Sequence, residues 1–216
     1  ASRGLGDVYK RQNHRTAAEL WQRFAERHQA EMTPAILKAG EFALEAHRGQ
    51  NRKIDCLPYV SHVFDVAEIL LGCKASENLV IAGILHDILE DTSQTADDIR
   101  ALFPAEQGEA ILHIIMADNE SDKEAPWQER KMETIRYAET TEETDGLLLI
   151  CADKISNLNS MVCGLESGGN LVWHYFHSPK DRQIWYYETL YNIFRQKLTT
   201  YDCLLKRYFN LLNLIR

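Results

Sequence analysis

The chain has 216 residues, 45% of them hydrophobic and 26% charged, with a formal charge of −8 at pH 7. That length and composition suit one soluble domain able to bury a core without disulfides. The acidic balance argues against sequence-independent nucleic-acid binding. No apolar run approaches a membrane span either, Leu147–Ile150 being far too short.

Residues 1–12 contain glycine and arginine, show no periodicity and lack the apolar centre of a signal peptide. Their run Asp7-Val8-Tyr9-Lys10-Arg11-Gln12 resembles translated sequencing-adapter read-through. The stretch is therefore set aside as an artefactual, disordered extension, and the fold is read from residue 13. From Thr16 onward the periodicity is helical, with no sustained strand alternation. Thr16–Gln29 carries Leu20, Trp21, Phe24 and Ala25 on one side. Thr33-Pro34 starts a second helix, an N-cap followed by proline at the first position, that runs to His47. Arg48–Leu57, with Gly49 and Asn51, breaks the pattern and reads as a loop.

Pro58 opens a helix carrying His62, Val63, Val66, Ile69 and Leu70 and ending near Gly72. Ser76 caps the next, an apolar run whose far end reads His86-Asp87-Ile88-Leu89-Glu90-Asp91. Thr95 starts a short helix that closes before Pro104, and Ala105–Met116 forms another. The polar loop Asp118–Pro126 leads to the amphipathic helix Trp127–Glu139. Gly146–Met161 is an apolar helix interrupted by Asp153, Lys154 and Asn157, and Gly164–Asn170 reads as a loop. From Pro179 one long aromatic helix runs toward the C-terminus. The chain is predicted to be all-α, one helical bundle of roughly eight to ten helices without repeats or linkers.

Chemistry concentrates at four positions. Adjacent His86 and Asp87 present a nitrogen and an oxygen to one divalent cation, and His62 and Asp153 add a second nitrogen and a second oxygen. That donor set suits Mn, Fe, Co or Zn, with positions left for water or substrate. Glu90 and Asp91 follow within a helical turn, where one can deprotonate water and the other assist the leaving oxygen. Buried acids and histidines in such number are costly unless a metal compensates them. Asp153 and Asn157 are four apart and share a helical face, so Asn157 can offer its amide to a sugar or phosphate oxygen. Lys154 sits to one side of them, for the substrate or as a partner of Glu90 or Asp91. Arg52 and Lys53 are adjacent cations in a loop, suited to phosphates. The five cysteines are scattered and form no C-x-x-C pair, which reads as reduced thiols in a cytoplasmic protein.

The ordered pieces Pro58-Tyr59-Val60-Ser61-His62, His86-Asp87-Ile88-Leu89-Glu90-Asp91 and Ala152-Asp153-Lys154-Ile155-Ser156-Asn157-Leu158 resemble the HD-domain phosphohydrolases. Within these they are closest to the alarmone hydrolase domains of the RelA/SpoT type and their small stand-alone relatives. The upstream run Gly49-Gln50-Asn51-Arg52-Lys53 extends the likeness. The resemblance implies one HD domain over residues 13–216 and one Mn ion held by His62, His86, Asp87 and Asp153. It also implies Arg52 and Lys53 around guanine and phosphates and a substrate-side tyrosine at Tyr186. The implied reaction is release of the 3′-pyrophosphate from guanosine tetra- or pentaphosphate, giving GDP or GTP. The implied partner is thus a small anionic nucleotide, with neither nucleic acid nor membrane; nothing in the chain sets an oligomeric state.

Two departures stand out. The family often has Thr-Asp where this chain has Ala117-Asp118, and Gly164–Ser178 looks like an insertion. Its Trp173, His174, Tyr175, Phe176 and His177 are expected to pack as an aromatic corner. Three rivals remain: an HD phosphohydrolase for another nucleotide, a non-catalytic nucleotide-sensing module, and a helical interaction module.

Overall fold

A computed structural model describes residues 16–119, 124–176 and 178–216. The extension at 1–12, residues 120–123 of the expected polar loop and His177 of the expected aromatic corner lie outside the described residues. Ten α-helices of seven residues or more, one single-turn helix and one 3-10 segment make up the regular structure, without a strand among the described residues. The fold is all-α. Two compact units divide the described chain, one drawn from 16–52 and 57–119, the other from 53–56 and the residues beyond 123.

The first unit holds α1 (Ala17–Arg27), α2 (Pro34–Ala46), α3 (Val60–Gly72), α4 (Glu77–Leu85), α5 (Ile88–Asp91), α6 (Ala96–Leu102) and α7 (Ala105–Ile115). Thr16, Thr33, Ser76 and Thr95 each accept a hydrogen bond from the amide three residues on, starting α1, α2, α4 and α6 where the cap residues predict. Each such cap is worth about 1 kcal/mol. Residues 79 to 85 of α4 are all buried, so the helix is apolar on every side and must sit inside. It packs against α2, α3 and α7. Gly83 sets how closely α3 approaches: a Cβ there would lie 2.6 Å from Leu70 Cδ1. Phe24 stacks on Phe64 and Trp21 meets it tilted, with ring centroids 5.4 and 5.2 Å away, and the three tie α1 to α3.

One local feature departs from the sequence reading. The apolar run does not continue as one helix to Asp91; α4 stops at Leu85 and α5 restarts for a single turn at Ile88. His86 Nδ1 lies 2.9 Å from the Gly83 carbonyl, which continuation of the helix would otherwise use. His86 keeps helical dihedrals (φ −58°, ψ −38°), and the departure falls at Asp87, whose ψ of −2° precedes the restart at Ile88.

The second unit holds α8 (Trp127–Thr140), α9 (Thr144–Gly168), the 3-10 segment Gly169–Tyr175, α10 (Lys180–Lys197) and α11 (Asp202–Ile215). The 25-residue α9 is its axis, packed by α10, α11 and the 3-10 segment. The Tyr208 hydroxyl, fully buried, donates to the Tyr187 carbonyl at 3.0 Å, and burial pushes the phenol upward so that it stays a donor. Two further departures occur here. Gly164 is no loop residue: α9 runs through it because its bare face meets Val172 and Ile54, where a Cβ would come within 2.5 and 2.8 Å. The single C-terminal helix is two, broken at residues 198–201, after which Asp202 begins α11. Trp173 meets Phe176 at 5.9 Å and both are half-buried, whereas His174 and Tyr175 are exposed, so the expected aromatic corner packs only in part.

Candidate active site

Three side chains of the first unit converge. His62 stands in the first turn of α3, His86 at the C-cap of α4, and Asp87 at the N-cap of α5. One ligand atom from each lies within 4.8 Å of the others. His62 Nε2 is 3.3 Å and His86 Nε2 is 3.1 Å from the same oxygen, Asp87 Oδ2. The two histidines are 3% and 4% exposed, and Asp87 is half-buried, so the cluster opens to solvent on the carboxylate side.

The tautomer of His86 follows from its neighbour. A carbonyl only accepts, so Nδ1 carries the hydrogen against Gly83, and in the neutral ring Nε2 holds the lone pair. A lone pair 3.1 Å from a carboxylate oxygen is repulsive unless a positive charge lies between them. A proton or a cation supplies that charge. Donor atoms each about 2.1 Å from one ion are spaced at about 3.0–3.4 Å, so the separations fit a divalent transition metal. Burial opposes ionisation of Asp87, but the charge of His86 and hydrogen bonds from both histidines outweigh it and hold the carboxyl well below its usual range.

Around this cluster sits a second layer. The Tyr59 hydroxyl lies 2.7 Å from Asp87 Oδ2 and 2.6 Å from Asp91 Oδ2. Burial first, and then the two carboxylates, push the phenol far upward, so it remains protonated. Its ring stacks on His47 at 4.8 Å and meets His62 edge-on at 5.9 Å. His47 is 2% exposed, and burial lowers its pKa against the opposing bond to Gln50 and the charges of Asp87 and Asp91. Glu90 is half-buried and Asp91 exposed, both on α5.

Asp153, Lys154 and Asn157 form a group within the second unit, on the buried middle of α9. Asn157 Nδ2 donates to Asp153 Oδ1 at 2.8 Å, as a four-residue helical spacing allows, and Lys154 Nζ donates to Asp153 Oδ2. Both Asp153 and Lys154 are buried, so each offsets the desolvation of the other. Tyr186 on α10 is 2% exposed; Trp127 meets its ring edge-on at 6.2 Å and Lys131 Nζ stands 5.3 Å from its centre. Its hydroxyl has no hydrogen-bond partner among the described residues. Arg52 is half-buried in the loop after α2, which is closed by Arg52 N donating to the Leu57 carbonyl at 2.8 Å and by a bridge between Asn51 and Pro58. Lys53 is exposed, in the short stretch that belongs to the second unit.

Three contributors carry no role in the sequence reading: Tyr59, His47 and Gln50. Tyr59 is three residues ahead of His62 at a helix start, and His47 and Gln50 are three apart at a helix end. Such spacing marks shared faces, but nothing in it says that the faces look onto carboxylates.

Residues 39–167 match the family model described as HD domain, a stretch that runs through parts of both units. A mouse protein named guanosine-3′,5′-bis(diphosphate) 3′-pyrophosphohydrolase MESH1 is 32% identical over 129 residues, covering 58% of this chain and 69% of that protein. A Mycoplasma pneumoniae protein named probable guanosine-3′,5′-bis(diphosphate) 3′-pyrophosphohydrolase is 27% identical over 149 residues, 66% of this chain but 20% of its own length. Among solved structures, one described as a metazoan ortholog of SpoT that hydrolyses ppGpp superposes with a TM-score of 0.69 at 25% identity, covering 85% of this chain and 98% of that one.

Proposed function

The chain belongs to the HD domain family, and from that membership we propose that it is a metal-dependent phosphohydrolase removing the 3′-pyrophosphate of guanosine tetra- or pentaphosphate. The observation that carries this reading is the convergence of His62, His86 and Asp87 on one point, with Asp91 tied to Asp87 through Tyr59. The names of the mouse and Mycoplasma relatives supply the substrate. Residues 13–216 act as the HD domain, with the first twelve residues dispensable.

One divalent ion, Mn by preference, held by His62, His86 and Asp87, supplies Lewis acidity toward a phosphoryl oxygen and makes water more acidic. The assignment of Asp153 as fourth ligand rests on the motif Ala152-Asp153-Lys154. Glu90 and Asp91 divide the proton work: one takes a proton from the attacking water, the other protonates the sugar oxygen as it leaves. The new bond joins the water oxygen to phosphorus, the bond from phosphorus to the sugar 3′ oxygen breaks, and pyrophosphate departs. Arg52 and Lys53 neutralise phosphate charge, while Lys154, Asn157 and Tyr186 serve the nucleotide side. The scattered cysteines, none in a disulfide among the described residues, suit a reducing, cytoplasmic setting, and no helix among the described residues is long and apolar enough to cross a membrane.

The test is pyrophosphate release from guanosine 3′,5′-bis(diphosphate) with added Mn, beside Asp87→Ala. Metal-dependent release that disappears in the variant is the expected result. A folded, metal-loaded protein that releases none overturns the substrate assignment and directs the work to a panel of other nucleotide phosphates.

A further inference from the structure

The hydrogen bonds around Asp91 close into a ring. Tyr59 Oη meets Asp91 Oδ2 at 2.6 Å, and the Asp91 carbonyl accepts from Gln50 Nε2, also at 2.6 Å. Gln50 Oε1 in turn accepts from His47 Nδ1 at 2.8 Å, and the His47 ring stacks back onto Tyr59 at 4.8 Å and 24°. The polarity of this circuit is determined link by link. A carbonyl only accepts, so the amide nitrogen of Gln50 must face Asp91 and its oxygen must face His47. His47 then carries its hydrogen on Nδ1, and burial lowers its pKa, which keeps the ring in that neutral form. The backbone reinforces the same pair, since Tyr59 N donates to the Gln50 carbonyl at 2.9 Å.

Asp91 needs such support. It ends a four-residue helix whose N-cap makes no side-chain hydrogen bond, and it is exposed. An exposed carboxylate on one turn of helix samples several rotamers, and a proton-transferring group must be held to within a fraction of an ångström. The phenol also has one hydrogen and two carboxylate neighbours, so the contact that orients Asp91 is shared with the ligand-bearing Asp87. Any rotation of Asp91 is therefore felt at Asp87.

We propose that Tyr59, braced by Gln50 and His47, is a positioning residue that fixes the Asp91 carboxylate relative to Asp87 for the hydrolytic step. This rests on the reading above that Asp87 holds the metal and Asp91 handles a proton. Tyr59 acts through Asp91, whose Oδ2 its hydroxyl meets at 2.6 Å.

The experiment combines turnover with amide exchange in the full chain. Tyr59→Phe keeps the stacked ring and removes only the hydroxyl, and Gln50→Met breaks the circuit on its other side. With guanosine 3′,5′-bis(diphosphate) and Mn, each variant is expected to lose kcat by about 10–100-fold while KM stays within about twofold. Added to Asp91→Asn, Tyr59→Phe is expected to cost nothing further, because its effect passes through that carboxylate. Amide exchange at Asp91 and Thr92 should be faster in both variants at unchanged global stability. A full, independent loss of kcat in the double variant overturns the proposal, as does unaltered exchange at α5. If the wild type releases no pyrophosphate yet exchange at Asp91 and Thr92 accelerates in Tyr59→Phe, the substrate reading falls and the brace stands.

Discussion

His47 shows how a single buried ring can make stability depend on pH. Its folded pKa lies below the ordinary value of 6.5 because burial disfavours the imidazolium. As the pH falls below 6.5 the unfolded chain takes up the proton first, so stability from this residue is fully present above that value and lost as the pH falls through the folded pKa. A thermal midpoint measured from pH 8 to pH 5 should therefore drop more steeply in the wild type than in His47→Gln. Equal slopes would show that His47 is not the group responsible. At Glu90 the prediction is chemical. Glu90→Gln keeps the shape and removes one of the two acids proposed for proton transfer, so metal content should be unchanged while turnover falls by about 10²–10⁴-fold. Loss of bound Mn in that variant, measured by elemental analysis, would make Glu90 a ligand instead. The residue types of the cluster are legible in the chain, because His62, His86 and Asp87 stand in a recognisable order. The roles of Tyr59 and Gln50 are not, since a hydroxyl or an amide shows its purpose only through the atom it faces.

Among the helices, α4 has the least freedom. Its apolar composition dictates burial, and Gly83 is the point at which α3 comes closest. Gly83→Ala places a methyl 2.6 Å from Leu70 Cδ1 and 3.3 Å from Val66 Cγ1, both on fully buried residues. Overpacking costs about 1–3 kcal/mol, and the gain in helix propensity returns about 1 kcal/mol of it. Urea denaturation should show a net loss of up to about 2 kcal/mol; a gain would mean that Leu70 relaxes freely. Helix starts were predictable here because a cap is chemistry local to four residues. Helix ends were less so. The break after Leu85 depends on a ring-to-carbonyl bond, the passage of α9 through Gly164 on contact with Val172 and Ile54, and the split at 198–201 on no signal in the local pattern.

For the molecule as a whole, the consequence is linkage between metal and folding. An ion held by His62, His86 and Asp87, as proposed, would bind the folded chain in preference to the unfolded one. At a concentration a hundred times its dissociation constant it stabilises by about 2.7 kcal/mol, or roughly 5–10 °C for a chain of this size. Calorimetry with and without Mn should show that rise in the wild type and none in Asp87→Asn. Chelation should reverse it, and an unchanged midpoint would remove the metal from the cluster. Deleting residues 1–12 should leave both the rise and the activity intact.

The chain by itself determined the all-α class, the capped helix starts and the candidate ligands, because these depend on periodicity, on local capping chemistry and on residue order. Tertiary structure alone decided the meeting of His62 and His86 on one oxygen of Asp87 and the ring that holds Asp91. Those features join atoms brought together from different elements, Tyr59 and Asp91 being 32 positions apart in sequence. Hydrogen-bond direction and desolvation act over a few ångströms of space, and a linear pattern carries no record of that distance.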